Sequence, residues 1–182
     1  MDYLLDPSQP ILPQLLKEVE KEIGISHPEY LIVASSKPEL AESFLFPEIT
    51  TLFVLSPEYQ ELSNDEFIAL QQDLENKNIK LLKGKHLINE AHHSSSQRYR
   101  TLFPMEVMAA TLANLPESLK HCIENAVWAV DKKFIPTGSL VISIAGTNEI
   151  PDTAVLIEPK QSKNMIDSHI LKIICHPYQE EF

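Results

Sequence analysis

Short runs of apolar residues alternate along this chain with stretches of helical period. The run 140–145 (LVISIA) has no polar–apolar alternation, so it predicts a strand covered on both faces, as at the centre of an α/β sheet. A polar turn, Gly146-Thr147-Asn148, separates it from a second β-rich run at 153–157 (TAVLI). Upstream, Leu12, Leu15, Leu16, Val19 and Ile23 follow helical spacing, with Gly24 placed to end that helix. A short continuous apolar run at 30–34 (YLIVA) predicts a further strand, and the stretches 49–55 (ITTLFVL) and 79–82 (IKLL) predict two more. Ser36 and Glu39 have capping-box spacing, with Pro38 in the first turn of a brief helix. Ser63 and Glu66 form a second such box, opening a helix that carries Phe67, Leu70 and Leu74 on one face.

Residues 86–100 break the rhythm and predict a long loop, of the kind that tends to be functional. One helix is expected from Pro104, with Met105, Met108 and Leu112, and another from Pro116, with Leu119, Cys122, Ile123, Ala126, Val127 and Val130. A last β-branched run at 170–175 (ILKIIC) predicts one more strand. The βαβαβ beginning and the helical pair before 140–145 predict a three-layer α/β/α sandwich.

With 182 residues, 43% of them hydrophobic, the chain fits one domain, 1–182, with a substantial core. Its formal net charge of −11 argues against nucleic acid as a partner, because phosphate backbones need a basic face. Cys122 and Cys175 lack CxxC spacing and lie in different predicted elements, which reads as free buried thiols in a reducing, cytoplasmic compartment. No charged leader precedes an apolar core and no apolar run approaches spanning length, so no membrane association is expected.

Several segments of the second half fall in a familiar order: Phe103-Pro104-Met105-Glu106-Val107, Ala110-Thr111-Leu112, Phe134-Ile135-Pro136, Ile144-Ala145-Gly146-Thr147, Asp152-Thr153-Ala154 and Ile173-Ile174-Cys175-His176-Pro177. With Ile32-Val33-Ala34-Ser35-Ser36 and His86, they resemble stand-alone proteins related to the C-terminal domain of pyruvate kinase, over roughly residues 10–177. The resemblance implies a mixed five-stranded sheet of order 3-2-1-4-5 with the fifth strand antiparallel, leaving 170–175 as an extra C-terminal strand. In that order 30–34 neighbours both 49–55 and 140–145. Ser35, Ser36 and Lys37 would then face Gly146, Thr147 and Asn148 across one crevice at a topological switch point.

The resemblance further implies a phosphate-bearing ligand in that crevice: a sugar phosphate in pyruvate kinases, flavin mononucleotide (FMN) in the stand-alone relatives. His86 matches a residue of those relatives. Two departures bear on the ligand. Where relatives read Ser-Ser-Thr-Gly, this chain has Ser35-Ser36-Lys37-Pro38, which loses a glycine and gains a cation. Where they read Gly-Gly-Thr-Gly-Arg-Gly, it has Ala145-Gly146-Thr147-Asn148-Glu149-Ile150, which loses an arginine and gains a carboxylate. Pyruvate kinase activity itself is excluded, since it resides in a separate barrel of about 250 residues.

The candidate ligand-binding residues are therefore Ser35, Ser36, Lys37, His86, Gly146, Thr147 and Asn148. Hydroxyls, backbone N–H groups and the Lys37 charge suit an anion, although the same local geometry serves a plain helix cap. Gly146-Thr147 either admits a ligand close to the backbone or is simply a tight turn. His86 could hydrogen-bond a ligand or play a structural part. Arg98 and Arg100, the only arginines, would clamp an anion if their loop folds inward, and are otherwise surface charges. His92-His93 lacks HxH or HxxxH spacing, so no metal is expected.

Cys175-His176 resembles a nucleophile beside a base, but strand neighbours face opposite ways and a buried, inert thiol is the plainer reading. Asp152 would orient the Gly146 turn through local hydrogen bonds. These residues point to a non-catalytic or regulatory protein that binds a small phosphorylated ligand. The alternatives are an enzyme acting on a phosphorylated metabolite through His86, or an oligomerisation module, self-associating, whose crevice has degenerated.

Overall fold

Alternate residues of each central strand must find apolar cover on opposite sides, and the fold follows from meeting that demand. In the computed structural model, residues 4–6, 8–55, 63–84, 114–147 and 149–177 are described. One seven-stranded mixed sheet runs β1 (Leu4–Leu5), β2 (Tyr30–Ser35), β3 (Thr50–Leu55), β4 (Ile79–Lys83), β5 (Val141–Ala145), β6 (Thr153–Glu158) and β7 (His169–Pro177). Its spatial order is β1-β7-β6-β5-β2-β3-β4. Strands β2 and β5 pair in parallel, as do β2 with β3 and β3 with β4, while β6 lies antiparallel to β5. The five strands expected from the sequence therefore take the expected order and directions.

The sheet is larger than those five. Strand β7, expected only as an addition at 170–175, is nine residues long and pairs antiparallel to β6 from His169 to Cys175 with two register shifts. Leu4 and Leu5 pair in parallel with His176 and Pro177.

Helices α1 (Ile11–Ser26) and α2 (Asn64–Glu75) cover one face, and α3 (Glu117–Asp131) covers the other. Leu31 and Val33 of β2, with Ile142 and Ile144 of β5, pack against Leu15, Val19 and Leu74 of the first two helices. Ile32, Val141 and Ala145 point the other way, onto Cys122, Ala126 and Val130 of α3. Ser143 lies on that same apolar face, fully buried, and its hydroxyl donates to the Cys122 carbonyl at 2.7 Å. That bond satisfies a polar group which would otherwise cost about 1–3 kcal/mol to bury. Among the described residues no helix is long and apolar enough to cross a membrane.

Two helix ends differ from expectation. Helix α1 continues past Gly24 to Ser26, and His27 caps it in the left-handed region (φ 47°), its N–H reaching the Ile23 carbonyl at 3.1 Å. After β2 the chain forms a 3₁₀ turn, Pro38–Phe44, with Lys37 rather than Ser36 at its N-cap and no side-chain capping bond. The Ser63–Glu66 box is present: the Ser63 hydroxyl accepts from the Glu66 N–H, and the Glu66 carboxylate accepts from the Ser63 N–H. The helix expected from Pro104, the 86–100 loop, His86, His92, His93, Arg98, Arg100 and Asn148 lie outside the described residues.

One ion pair, between a buried carboxylate and an exposed ammonium, ties α1 to β7. The Glu22 carboxylate, 3% exposed, accepts hydrogen bonds from the Lys172 ammonium and the Ser26 hydroxyl. Burial pushes the Glu22 carboxyl up, but those two bonds and the Lys172 charge outweigh it and hold the group below the ordinary range. A depressed carboxyl contributes stability above its unfolded pKa, and that stability is lost as pH falls through the folded value. Replacing Lys172 with Met leaves Glu22 buried with one fewer donor. Urea denaturation at pH 7 should show Lys172→Met less stable by about 1–3 kcal/mol, and the gap should narrow on acidification to pH 4. A gap that does not change with pH would mean that the pair does not set the Glu22 ionisation.

Candidate functional site

Parallel strands β2 and β5 end side by side at Ser35 and Ala145, and β2 is flanked on its other side by β3. The strand order reverses between them, which is where open α/β sheets hold ligands beyond the carboxyl ends of their strands. The sequence-predicted residues Ser35, Lys37 and Gly146 do converge here. Their meeting runs through Glu149, which sequence reasoning treated only as an unfavourable carboxylate.

Ser35, 4% exposed, is the last residue of β2. Its hydroxyl donates to the Glu149 carbonyl at 2.7 Å and accepts from the Lys37 N–H at 3.1 Å. A hydroxyl has a single hydrogen, so that of Ser35 is committed to holding the loop after β5. The Lys37 ammonium lies 2.6 Å from Glu149 Oε2. Hydrogen bonding to Glu149, then its charge, raises the Lys37 pKa. Both side chains of this pair are substantially solvent-exposed, so the pair itself is weak.

Gly146 is required by close approach. A Cβ there would sit 2.6 Å from the Ile150 carbonyl oxygen and 3.1 Å from Pro151 Cα, and the Asp152 N–H closes the turn onto the Ala145 carbonyl at 3.1 Å. Thr147 is exposed and Ser36 half-buried. Gly146 thus packs tightly against Ile150 and Pro151 at the end of β5.

The first turns of α3 grip the other side of the same loop. His121 Nδ1 lies 3.2 Å from the Gly146 carbonyl, a bond that requires the tautomer protonated at Nδ1. Thr153 Oγ1 is 2.8 Å from both Ser118 Oγ and Asp152 Oδ1. Since Asp152 is acceptor-only when ionised, Thr153 donates to it and Ser118 donates to Thr153, giving a hydroxyl relay onto a carboxylate that is 8% exposed. Burial raises the Asp152 carboxyl above its ordinary range, against the Thr153 bond and the charges of His176 and His121. Asp152 therefore does orient the Gly146 turn, through its backbone N–H, and it carries this relay besides. His121 and Ser118 went unremarked in the sequence because only the α3–β5 packing brings them to Gly146.

The thiols are inert. Cys122 is fully buried, its sulfur 3.6 Å from the Thr153 carbonyl oxygen, and burial with the Asp152 charge pushes it well up. Burial pushes Cys175 up to about 12. Cys175 packs in the α1 core, while His176 Nδ1 lies 2.7 Å from the Pro177 carbonyl oxygen, so the two form no nucleophile–base pair. No group of three or more His, Cys, Asp or Glu among the described residues is arranged to hold a metal. An open groove of about 430 Å³ lies at the opposite end of β2, lined by Tyr30, Val130, Lys133, Phe134, Pro136 and Gln161 among others.

A carboxyl whose folded pKa is raised binds protons more readily in the folded state. Its stability contribution therefore falls as pH rises through the window between the unfolded and folded values. Asp152→Asn keeps an acceptor for Thr153 and removes that decline. Denaturation midpoints measured from pH 3 to pH 8 should shift progressively in favour of the variant as pH rises. A constant offset would show that Asp152 ionises as it does in the unfolded chain.

No protein-family model matches the chain.

Proposed function

We propose that this protein binds a small phosphate-bearing ligand at the carboxyl ends of β2 and β5, in a non-catalytic or regulatory role. One observation carries the reading: at the switch point of the sheet, the Lys37 ammonium already holds a carboxylate, at 2.6 Å. An anion therefore fits there in charge and reach. Ser36 and the Gly146-Thr147 turn border the same place; His86 and Asn148, assigned to the site from the resemblance, lie outside the described residues. FMN, which the resemblance implies, is one ligand of this class.

The test is direct. Small molecules released on denaturing the purified protein should include a phosphate ester, identified by mass spectrometry, with flavin absorbance if the ligand is FMN. Added FMN or a sugar phosphate should raise the melting temperature, as about 2.7 kcal/mol of stabilisation at a hundredfold excess over Kd requires. Lys37→Met should abolish the rise. A colourless protein that releases nothing and is stabilised by none of these compounds would refute the reading.

A second reading, an enzyme acting on a phosphorylated metabolite, is favoured by the Ser118–Thr153–Asp152 relay beside the Gly146 turn. A buried carboxyl with a raised pKa is suited to general acid–base work. This reading requires turnover that Asp152→Asn abolishes while ligand-induced stabilisation persists.

A further inference from the structure

The groove at the opposite end of β2 has the make-up of a small-molecule site. At about 430 Å³ it has room for a ring and its substituents. Val130 and Ile135, each 2% exposed, give it apolar surface, and the half-buried rings of Tyr30 and Phe134 make it aromatic as well. Lys133 and Gln161 bring an ammonium and an amide to the same lining.

The Phe134 side of the groove is preformed. Trp128 packs on its ring with centroids 5.5 Å apart, and the Lys80 ammonium stands over that ring, 4.7 Å from its centroid. The backbone is fixed by the turn that ends α3. Lys133 takes the left-handed conformation (φ 60°) and its N–H reaches the Val130 carbonyl at 2.9 Å, while the Phe134 N–H reaches the Ala129 carbonyl at 2.9 Å. Those bonds also occupy carbonyls at the helix C-terminus that would otherwise repel an anion. The Ser162 N–H donates to Asp131 Oδ1 at 2.9 Å, which ties the segment after Gln161 to the same helix. A ligand entering here therefore has little of the protein to order.

Charge decides what kind of ligand fits. Lys133 is the one charged residue of the lining, it is exposed, and it has no ion pair among the described residues. The acidic side chains on the adjoining segments are engaged elsewhere. Asp131 accepts from Ser162, and Glu29 accepts from the Ser139 hydroxyl at 3.2 Å and the Leu140 N–H at 3.4 Å.

We infer that this groove binds a small aromatic acid, its ring against Tyr30 and Phe134 and its carboxylate at the Lys133 ammonium. Aromatic pairing adds to the burial of the ring, and the ammonium sets the sign of the ligand's charge. The site is separate from the carboxyl ends of β2 and β5, so its success or failure leaves the phosphate reading there untouched.

Titration of the full chain with phenylacetate, followed by ¹H–¹⁵N NMR, tests this. The single tryptophan gives one indole signal, and Trp128 reports on Phe134 by direct contact. Phenylacetate should shift that signal and the Phe134 and Ile135 amides saturably. Cyclohexylacetate, equal in charge but without the aromatic ring, should bind about two- to tenfold more weakly. Lys133→Met should weaken phenylacetate about two- to fivefold, as for an exposed charge pair, and leave the neutral 2-phenylethanol unchanged. In the wild-type chain, salt raised to about 0.5 M should weaken phenylacetate and not 2-phenylethanol, which tests the charge without any substitution.

If phenylacetate gives no saturable shift at these signals, the site is overturned. Affinity that neither Lys133→Met nor salt reduces overturns it as a site for acids. Cyclohexylacetate binding as tightly as phenylacetate overturns it as an aromatic site.

Discussion

The parallel pairing of β2 with β5 is the constraint on which the rest of the structure depends. Both strands are buried on both faces, so every residue along them must be matched by a helix on one side or the other. Leu31, Val33, Ile142 and Ile144 require α1 and α2, and Ile32, Val141 and Ala145 require α3. Parallel neighbours cannot be joined by a hairpin, so a long crossover must separate them. Their carboxyl ends are thereby left together at one edge, with loops arriving from distant parts of the chain. The candidate site is a consequence of that edge: Ser35 and Glu149 touch although 114 residues separate them.

This constraint also explains what could be read from residues alone. Strands buried on both faces are written as continuous apolar runs, and the runs at 30–34, 49–55 and 140–145 could hardly be anything else. Helix α3 shows its buried stripe at regular spacing. Strand β1 was not legible because two leucines carry no period, and their pairing is decided by β7. Strand β7 was legible only in part. Ile170, Leu171 and Ile173 are exposed at the sheet edge, so burial did not shape the whole of it. The Ser36–Glu39 spacing misled because capping requires a regular helix, and Pro38–Phe44 is a 3₁₀ turn with Lys37 at its start.

The site was legible to a similar depth. The strand order implied by the resemblance sufficed to place Ser35–Lys37 near Gly146, because strand order determines which loops meet. Which atoms meet depends on how closely Gly146 approaches Ile150 and Pro151. No pattern in the residues encodes such a contact. The bond from Ser35 to the Glu149 carbonyl and that from His121 to the Gly146 carbonyl both use main-chain oxygens, which every residue possesses. Side-chain identity is therefore silent about them.

The loop after β5 is held at both ends and at its centre, yet each hold is of a different strength. The Ser35 bond and the Asp152 N–H bond are shielded from water, and the packing of Gly146 against backbone leaves no room for slack. The Lys37–Glu149 pair joins two solvent-exposed side chains and is therefore weak. Rigidity in the backbone would keep the ordering cost of the proposed binding low, since a ligand need not organise the loop. A buried pair in this place would be costly to separate, because a desolvated charge abandoned by its partner is expensive. Exposure of the Lys37–Glu149 pair, on an otherwise tightly packed turn, would let the proposed anion replace Glu149 at Lys37 without moving the backbone.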